Sequence, residues 1–407
     1  MRAERASGPL PGLILLDVTR SLRRVRHPHP SGIDRVERAY LDFTLGHRGH
    51  LLARIGPRYF RLDAEGGRAF AAFLSGVRAP LDLAARLRPD RNRRLREGEA
   101  LLRRHAIASG PLAEVLSARH RPVGAYLNIG HVGLGPAEMA GFAAAGVQRV
   151  AMLHDLIPLE HPEFARAGVP EETATRLSGA CLADLVLTNS ADTAERARDH
   201  ALERGLPLPP VRALPLGVDL TAPGDAAAPP DPYFLCLGTI EPRKNHTLLL
   251  DLWEEGIAVD LHIAGRRGWR NAAVFARLDR GLTRVREHPA PSDARIAALI
   301  AGARALLLPS HAEGYGLPLA EALALGTPAL VSDLPALREV GRAVPEYLDP
   351  QDQEAWRRAL RDYASDTTRR AAQLARMRDW RAPLWSDHFA ALEPLLHDLM
   401  LSRRKRG

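Results

Sequence analysis

The feature that most restricts the fold is a regular alternation of short apolar runs with amphipathic stretches of helical period. Runs at 13–17, 124–128, 148–153 and 185–188 read as strands, with helices at 33–44 and 171–180. The pattern resumes at 233–237, 259–264, 305–308 and 329–332, with helices at 292–302 and 318–325. Strands that alternate with helices imply parallel sheets, because a parallel crossover needs a connection of helix length. Between the two sets lies DLTAPGDAAAPPDP, from Asp219 to Pro232, which has no apolar period and the composition of a linker. The expected architecture is α/β, with two Rossmann-like doubly wound domains at 1–218 and 233–384 facing a cleft. The linker spans 219–232, and a C-terminal helix with a basic tail spans 385–407. Phe389, Leu392, Leu395, Leu396 and Leu399 recur at helical spacing in that last segment. Ligands of doubly wound sheets bind beyond the carboxyl ends of the strands.

Composition narrows the class. Of 407 residues, 46% are hydrophobic and 26% charged, a globular balance that excludes large-scale disorder. Cys181 and Cys236 are the only cysteines, which excludes a disulfide scaffold and a multi-cysteine zinc module and suits a reducing, cytoplasmic setting. No apolar run approaches the ~20 residues of a membrane span. The apolar patch near the N-terminus is interrupted by Asp17 and reads as a first strand rather than a signal peptide.

The net charge of +8 is unevenly spread. Residues 1–150 carry 25 Arg against 13 acidic residues, whereas 151–407 carry 31 basic against 35 acidic. Much of the excess lies at 86–104, RLRPDRNRRLREGEALLRR, where Pro89 and Gly98 are expected to break any single long helix. That segment reads as a solvated helical face, as a surface that meets anionic lipid, or as a nucleic-acid contact. The absence of aromatic residues there counts against nucleic acid. Only Lys244 and Lys405 are lysines. Lys405 lies in the basic tail, whereas Lys244 sits inside a dense motif as a compact point charge.

Four segments carry candidate chemistry. In PSHAEGYGLPLAEALALGTP, from Pro309 to Pro328, a buried strand ends in a loop holding Glu313, Gly314, Tyr315 and Gly316. Pro318 suits the first helical position, and Gly326 the helix stop. Glu321 is placed in the first turn. Glu313 and Glu321 either accept hydrogen bonds from sugar hydroxyls or serve as a loop residue and a helix-dipole partner. In FLCLGTIEPRKN a strand leads through Gly238 to Arg243 and Lys244, adjacent cations that suit a diphosphate or form a plain surface pair. The third segment is His154-Asp155, at the end of an apolar strand. The fourth is Ser31-Gly32-Ile33-Asp34-Arg35, either a loop approaching a phosphate or acceptor, or a helix start capped by Ser31.

Together these segments resemble retaining glycosyltransferases of the family 4 type, which have the GT-B fold. The E-x7-E pattern falls on Glu313 and Glu321, and G-T-I-E-P-R-K-N on Gly238–Asn245. GRRGW and LREV add to the family likeness, and LDVTR, SGIDRV, YLNIGH, HDLIP and LTNS resemble the branch that builds bacterial surface polysaccharides, while 46–118 resembles nothing. The resemblance implies that Arg243 and Lys244 bind the donor diphosphate and that Glu321 holds the nucleotide ribose. Glu313 and the Gly314, Tyr315, Gly316 and Leu317 backbone would hold the transferred sugar, which His154 touches from the other domain. Gly238 belongs to the same donor site, and Ser31, Gly32, Ile33 and Asp155 to an acceptor or phosphate loop. The catalytic set would be Glu313, His154, Arg243 and Lys244. The resemblance also implies no cofactor and no metal, a helix at 385–401 that crosses back to the first domain, and transfer with retention by front-face attack. The donor expected is GDP-mannose, with UDP-sugars as the alternative. The acceptor is a saccharide or lipid-linked saccharide, at the inner face of the membrane, and no nucleic acid is involved. The rival readings are a nucleotide-sugar epimerase or sugar phosphorylase on the same fold, and a non-catalytic basic peripheral membrane protein.

Overall fold

The computed structural model describes residues 10–27, 31–88, 92–117, 121–219 and 226–404. Pro89, Lys405 and positions 220–225 of the expected linker lie outside the described residues.

The first sheet has eight strands: β1 (Leu13–Asp17), β2 (His50–Ile55), β3 (Arg58–Leu62), β4 (Ala106–Gly110), β5 (Val123–Asn128), β6 (Gln148–Leu153), β7 (Leu185–Thr188) and β8 (Val211–Ala213). Their order is β4-β3-β2-β1-β5-β6-β7-β8. Pairing is parallel from β2 through β1 to β8, and antiparallel between β2 and β3 and between β3 and β4. The second sheet is β9 (Tyr233–Leu237), β10 (Asp260–Ala264), β11 (Val285–His288), β12 (Ala305–Leu308), β13 (Ala329–Ser332) and β14 (Glu346–Leu348). It is wholly parallel in the order β11-β10-β9-β12-β13-β14. Every residue of β1, β9, β12 and β13 is buried, as expected of strands covered on both faces by helices. The fold class is therefore the α/β arrangement read from the sequence.

The sequence reading departs from the structure in the segment 46–118. Two antiparallel strands there extend the first sheet, and Gly98 does not break a helix. It lies inside the Arg93–His105 helix, buried, where an added Cβ would stand 2.8 Å from Leu22 and 3.0 Å from Phe73. Its role is to let that helix approach its neighbours closely, at a propensity cost of about 1 kcal/mol. The arginines of this helix are also less solvated than a free face. Arg94 stacks over Phe73, and Glu97, itself buried, receives Arg78, Arg93 and Arg94.

The Trp385–Arg404 helix packs on the first sheet. Leu392, Leu396 and Met400 are buried, and Phe389 stacks on Phe43 at 4.4 Å. His388 Nδ1 donates to the Pro215 carbonyl (2.9 Å), so its Nε2 accepts from the Tyr40 hydroxyl (2.8 Å). Truncating the helix contact should therefore be felt by the whole first domain. Leu396→Ala is expected to lower stability by about 2–5 kcal/mol in urea unfolding. A loss below about 1 kcal/mol would show that the helix is not part of the core.

Candidate active site

In the second sheet β9 has β10 on one side and β12 on the other, so the connections leaving β9 and β12 diverge and open a crevice at their carboxyl ends. The loop after β9 turns as a short 3-10 helix, Pro242–Lys244. The loop after β12 leads into the Leu317–Ala324 helix. Side chains of the two loops converge. Lys244 Nζ lies 2.5 Å from Glu313 Oε1, and Arg243 Nη1 lies 2.9 Å from Glu313 Oε2. Ser310 Oγ donates to Glu313 Oε1 (2.7 Å), and Arg243 also reaches Glu241 (2.8 Å) and the Ala312 carbonyl (2.6 Å). Burial alone would raise the pKa of Glu313, but Arg243 and Lys244 outweigh it and hold the carboxyl at about 2. Burial disfavours the Arg243 charge, and Glu313 with Glu241 more than restores it. Arg243 and Lys244 are thus two fixed cations at the mouth of a doubly wound sheet, both engaged by carboxylates.

The first domain meets this loop directly. An added Cβ on Gly314 would stand 2.3 Å from the His154 carbonyl oxygen, so only glycine permits the approach. The Gly314 carbonyl accepts from Ser190 Oγ (2.8 Å) and Thr193 Oγ1 (3.2 Å), and Asn189 Nδ2 donates to the His154 carbonyl (2.9 Å). His154 Nε2 donates to the Ile129 carbonyl (2.8 Å), and burial pushes the ring's pKa down to about 4. The imidazole is thus neutral, and Nδ1 is the nitrogen without a partner among the described residues. Asp155 is half-buried beside Arg243; desolvation raises its pKa and Arg243 opposes the rise. It lines a cavity of about 340 Å³ with Ile33, His131, His161, Arg243 and Trp269.

The remaining predicted residues fall into place unevenly. The Tyr315 hydroxyl is buried on the Leu216 carbonyl (2.8 Å), so this side chain anchors the loop. Leu317 packs on Gly32, where a Cβ would come within 3.3 Å. Ser31 caps the Gly32–Gly46 helix in a reciprocal box: its amide donates to Asp34 (2.7 Å) and its hydroxyl accepts from the Asp34 amide (3.4 Å). Gly238, in a left-handed conformation, adjoins the Lys244 side chain. Glu321 requires a correction: the helix starts at Leu317 with Pro318 second, so Glu321 lies past the first turn and is no dipole partner. Burial raises its pKa and Arg35, from the first domain, opposes this with a direct ion pair. Arg35 also reaches Asp293 (3.1 Å).

The family model described as "Glycosyl transferases group 1" matches residues 223–379, which hold this crevice and both carboxylates. The match takes in every strand of the second sheet. Within the curated relatives, the chain is 31% identical over 239 residues to the serotype-specific mannosyltransferase WbdA of Escherichia coli, covering 50% of this chain and 28% of that protein. It is 34% identical over 130 residues to the O-antigen chain mannosyltransferase B of Escherichia coli, covering 30% of this chain and 34% of that protein. The chain thus spans about a third or less of these relatives' length. Among solved structures, Anabaena Alr3699/HepE in complex with UDP superposes with a TM-score of 0.60 at 15% identity, over 94% of this chain and 99% of that one. The fold is GT-B.

Several residues around this crevice escaped the sequence reading. Glu241 and Ser310 lie inside quoted motifs yet carried no role. Glu339, in LREV, accepts the Ala191 and Asp192 amides (2.7 Å each) and so caps a helix of the other domain. Trp269 donates to the Phe164 carbonyl (2.9 Å), and Arg270 to the Ala165 carbonyl (2.7 Å). Such partners lie more than a hundred residues apart and leave no local signal.

Glu37, on the Gly32–Gly46 helix, faces Ser21, and burial pushes its pKa up to about 8. The folded pKa exceeds the unfolded one, so its contribution is fully present below about 4.5 and is lost as pH rises through 8. Glu37→Gln mimics the protonated form. Relative to the wild type it should gain about 1.4 kcal/mol per pH unit between those limits. Parallel urea titrations of both proteins at several pH values check this, and a constant difference would refute the buried neutral carboxyl.

Proposed function

We propose that the chain is a hexosyltransferase that takes mannose from GDP-mannose and passes it, with retention, to a saccharide or lipid-linked saccharide in bacterial surface polysaccharide synthesis. The observation that carries the reading is the convergence of Arg243, Lys244 and Glu313 at the switch crevice of a group 1 domain. The likeness to two mannosyltransferases supports the sugar.

The donor diphosphate would lie against Arg243 and Lys244. Glu313 keeps that pair of charges in place before the donor arrives, so little reorganisation is needed when charge builds on the leaving phosphate. These two cations supply the neutralisation that a metal supplies elsewhere, and the reaction we propose is metal-independent. Glu313 is a poor nucleophile here, because both carboxylate oxygens are engaged by cations and its basicity is low. Front-face attack follows: the acceptor hydroxyl approaches beside the leaving group and a donor phosphate oxygen takes its proton. The acceptor would enter the 340 Å³ cavity, whose walls include Asp155 and Trp269 beside Arg243. His154 Nδ1 would accept from a sugar hydroxyl. The ribose would have to exchange with Arg35 for Glu321. A lipid-borne acceptor would bring the chain to the inner face of the cytoplasmic membrane.

Thermal shift with GDP, UDP, ADP and their sugar conjugates, without added metal, tests the donor. A shift confined to the guanine series is expected, and a shift confined to uridine would replace GDP-mannose. Lys244→Gln and Glu313→Gln should each lower turnover by about 10²–10³-fold while leaving the unfolding midpoint of the free protein high enough for assay. Unchanged turnover would remove the assigned role.

Arg35→Gln frees Glu321 from its competitor. Nucleotide binding is expected to tighten in that variant and to weaken in Glu321→Gln, by calorimetry. Equal effects of both substitutions would argue that Arg35 itself grips the nucleotide.

A further inference from the structure

Two grooves of about 450 Å³ each flank the β2–β3 turn on the first domain, sharing Ile55, Gly56 and Glu99. Arg23, Arg26 and Arg54 wall one, on the side of the helix that follows β1; Arg58, Arg88 and Arg103 wall the other. Two of these arginines are neutralised, Arg54 by Glu138 (2.8 Å) and Arg103 by Asp82 (2.6 Å). Among the described residues Arg23, Arg26, Arg58 and Arg88 form no ion pair with a carboxylate, Glu99 of the shared wall being itself buried, and all four are exposed. Like charges gathered this way repel unless an anion joins them.

The turn that gives Ala84 and Arg88 to the second groove also shows apolar side chains. The short Leu83–Arg86 helix is turned inside out: it buries Ala85 and leaves Leu83 and Leu87 each 73% exposed. Four residues apart, these two leucines share one side. Asp82 caps the helix and grips Arg103 with both oxygens, so the leucines are presented on a fixed base. Exposed leucines near arginines that have no ion-pair partner among the described residues are an unfavourable surface for water alone and match the two layers of a bilayer rim: anionic phosphates outside, acyl chains beneath.

We propose that this face docks on an anionic phospholipid surface, with Arg58 and Arg88 holding headgroup phosphates, Arg23 and Arg26 extending the contact toward the cleft, and Leu83 and Leu87 entering the acyl boundary. The docking is independent of which nucleotide the group 1 domain binds. It names the surface through which a lipid-linked acceptor would be met.

Co-sedimentation of the full chain with phosphatidylcholine vesicles, with and without phosphatidylglycerol, tests it. Binding should require phosphatidylglycerol and weaken with added salt. Arg58→Gln with Arg88→Gln is expected to weaken it about 25-fold, at about fivefold per charge. Leu83→Ser with Leu87→Ser keeps the charges and is expected to weaken it about tenfold. Undiminished binding in either double variant overturns the proposal, as does equal binding to neutral vesicles. The nucleotide thermal shift, run on the same variants, separates the two readings. A normal shift in a variant that has left the vesicles supports a dedicated docking face. Vesicle binding by a chain that shifts with no nucleotide supports this face while refuting the donor assignment.

Discussion

The buried carboxylate of Glu313 between Arg243 and Lys244 is the interaction on which the arrangement of the site depends. Two cations and an acid removed from water are stable only as a group, since each alone carries a large desolvation penalty. The group ties the loop after β9 to the loop after β12, with Ser310 and Glu241 completing it. Because those loops are fixed, Gly314 can stand against the His154 carbonyl and be held there by Ser190 and Thr193. The cleft between the two sheets is therefore defined at its floor by one electrostatic knot and one backbone contact.

Much of this was legible in the sequence because it is local. Buried parallel strands such as ALLL and YFLCL announce themselves by apolar runs, and Gly, Pro and the paired cations mark the loops that follow. The edges were harder. β3 carries Arg61, which is wholly buried, donating to His50 Nδ1 (3.0 Å) and to the Val115 and Arg121 carbonyls (3.3 and 2.6 Å). An arginine in a strand reads as solvent-facing unless its three acceptors are known, and those come from distant segments. Gly98 misled for a similar reason: its value lies in what packs against it, which spacing does not encode. β11 and β14 are short edge strands with charged residues, where the apolar pattern fades.

At the site, residue types were easier to read than pairings. Glu321 was placed one residue too near the helix start and given no side-chain partner, whereas it lies past the first turn and is held by Arg35 across the cleft. Ser31 proved to be a helix cap in geometry, and Tyr315 a loop anchor. The cross-domain contacts of Glu339, Trp269 and Arg270 all join segments far apart in the chain. They place the two domains in register around the cleft without any motif that names them as a set.

Lysine is nearly absent from this chain: Lys244 and Lys405 are its only two, and one of them sits in the electrostatic knot. Amine-directed chemistry is therefore almost site-selective without engineering. An acylating reagent that finds Lys244 must first part it from Glu313, so its reaction rate reports the opening of that ion pair. The protein carries, in the rarity of one residue type, a built-in reporter at the floor of its own cleft.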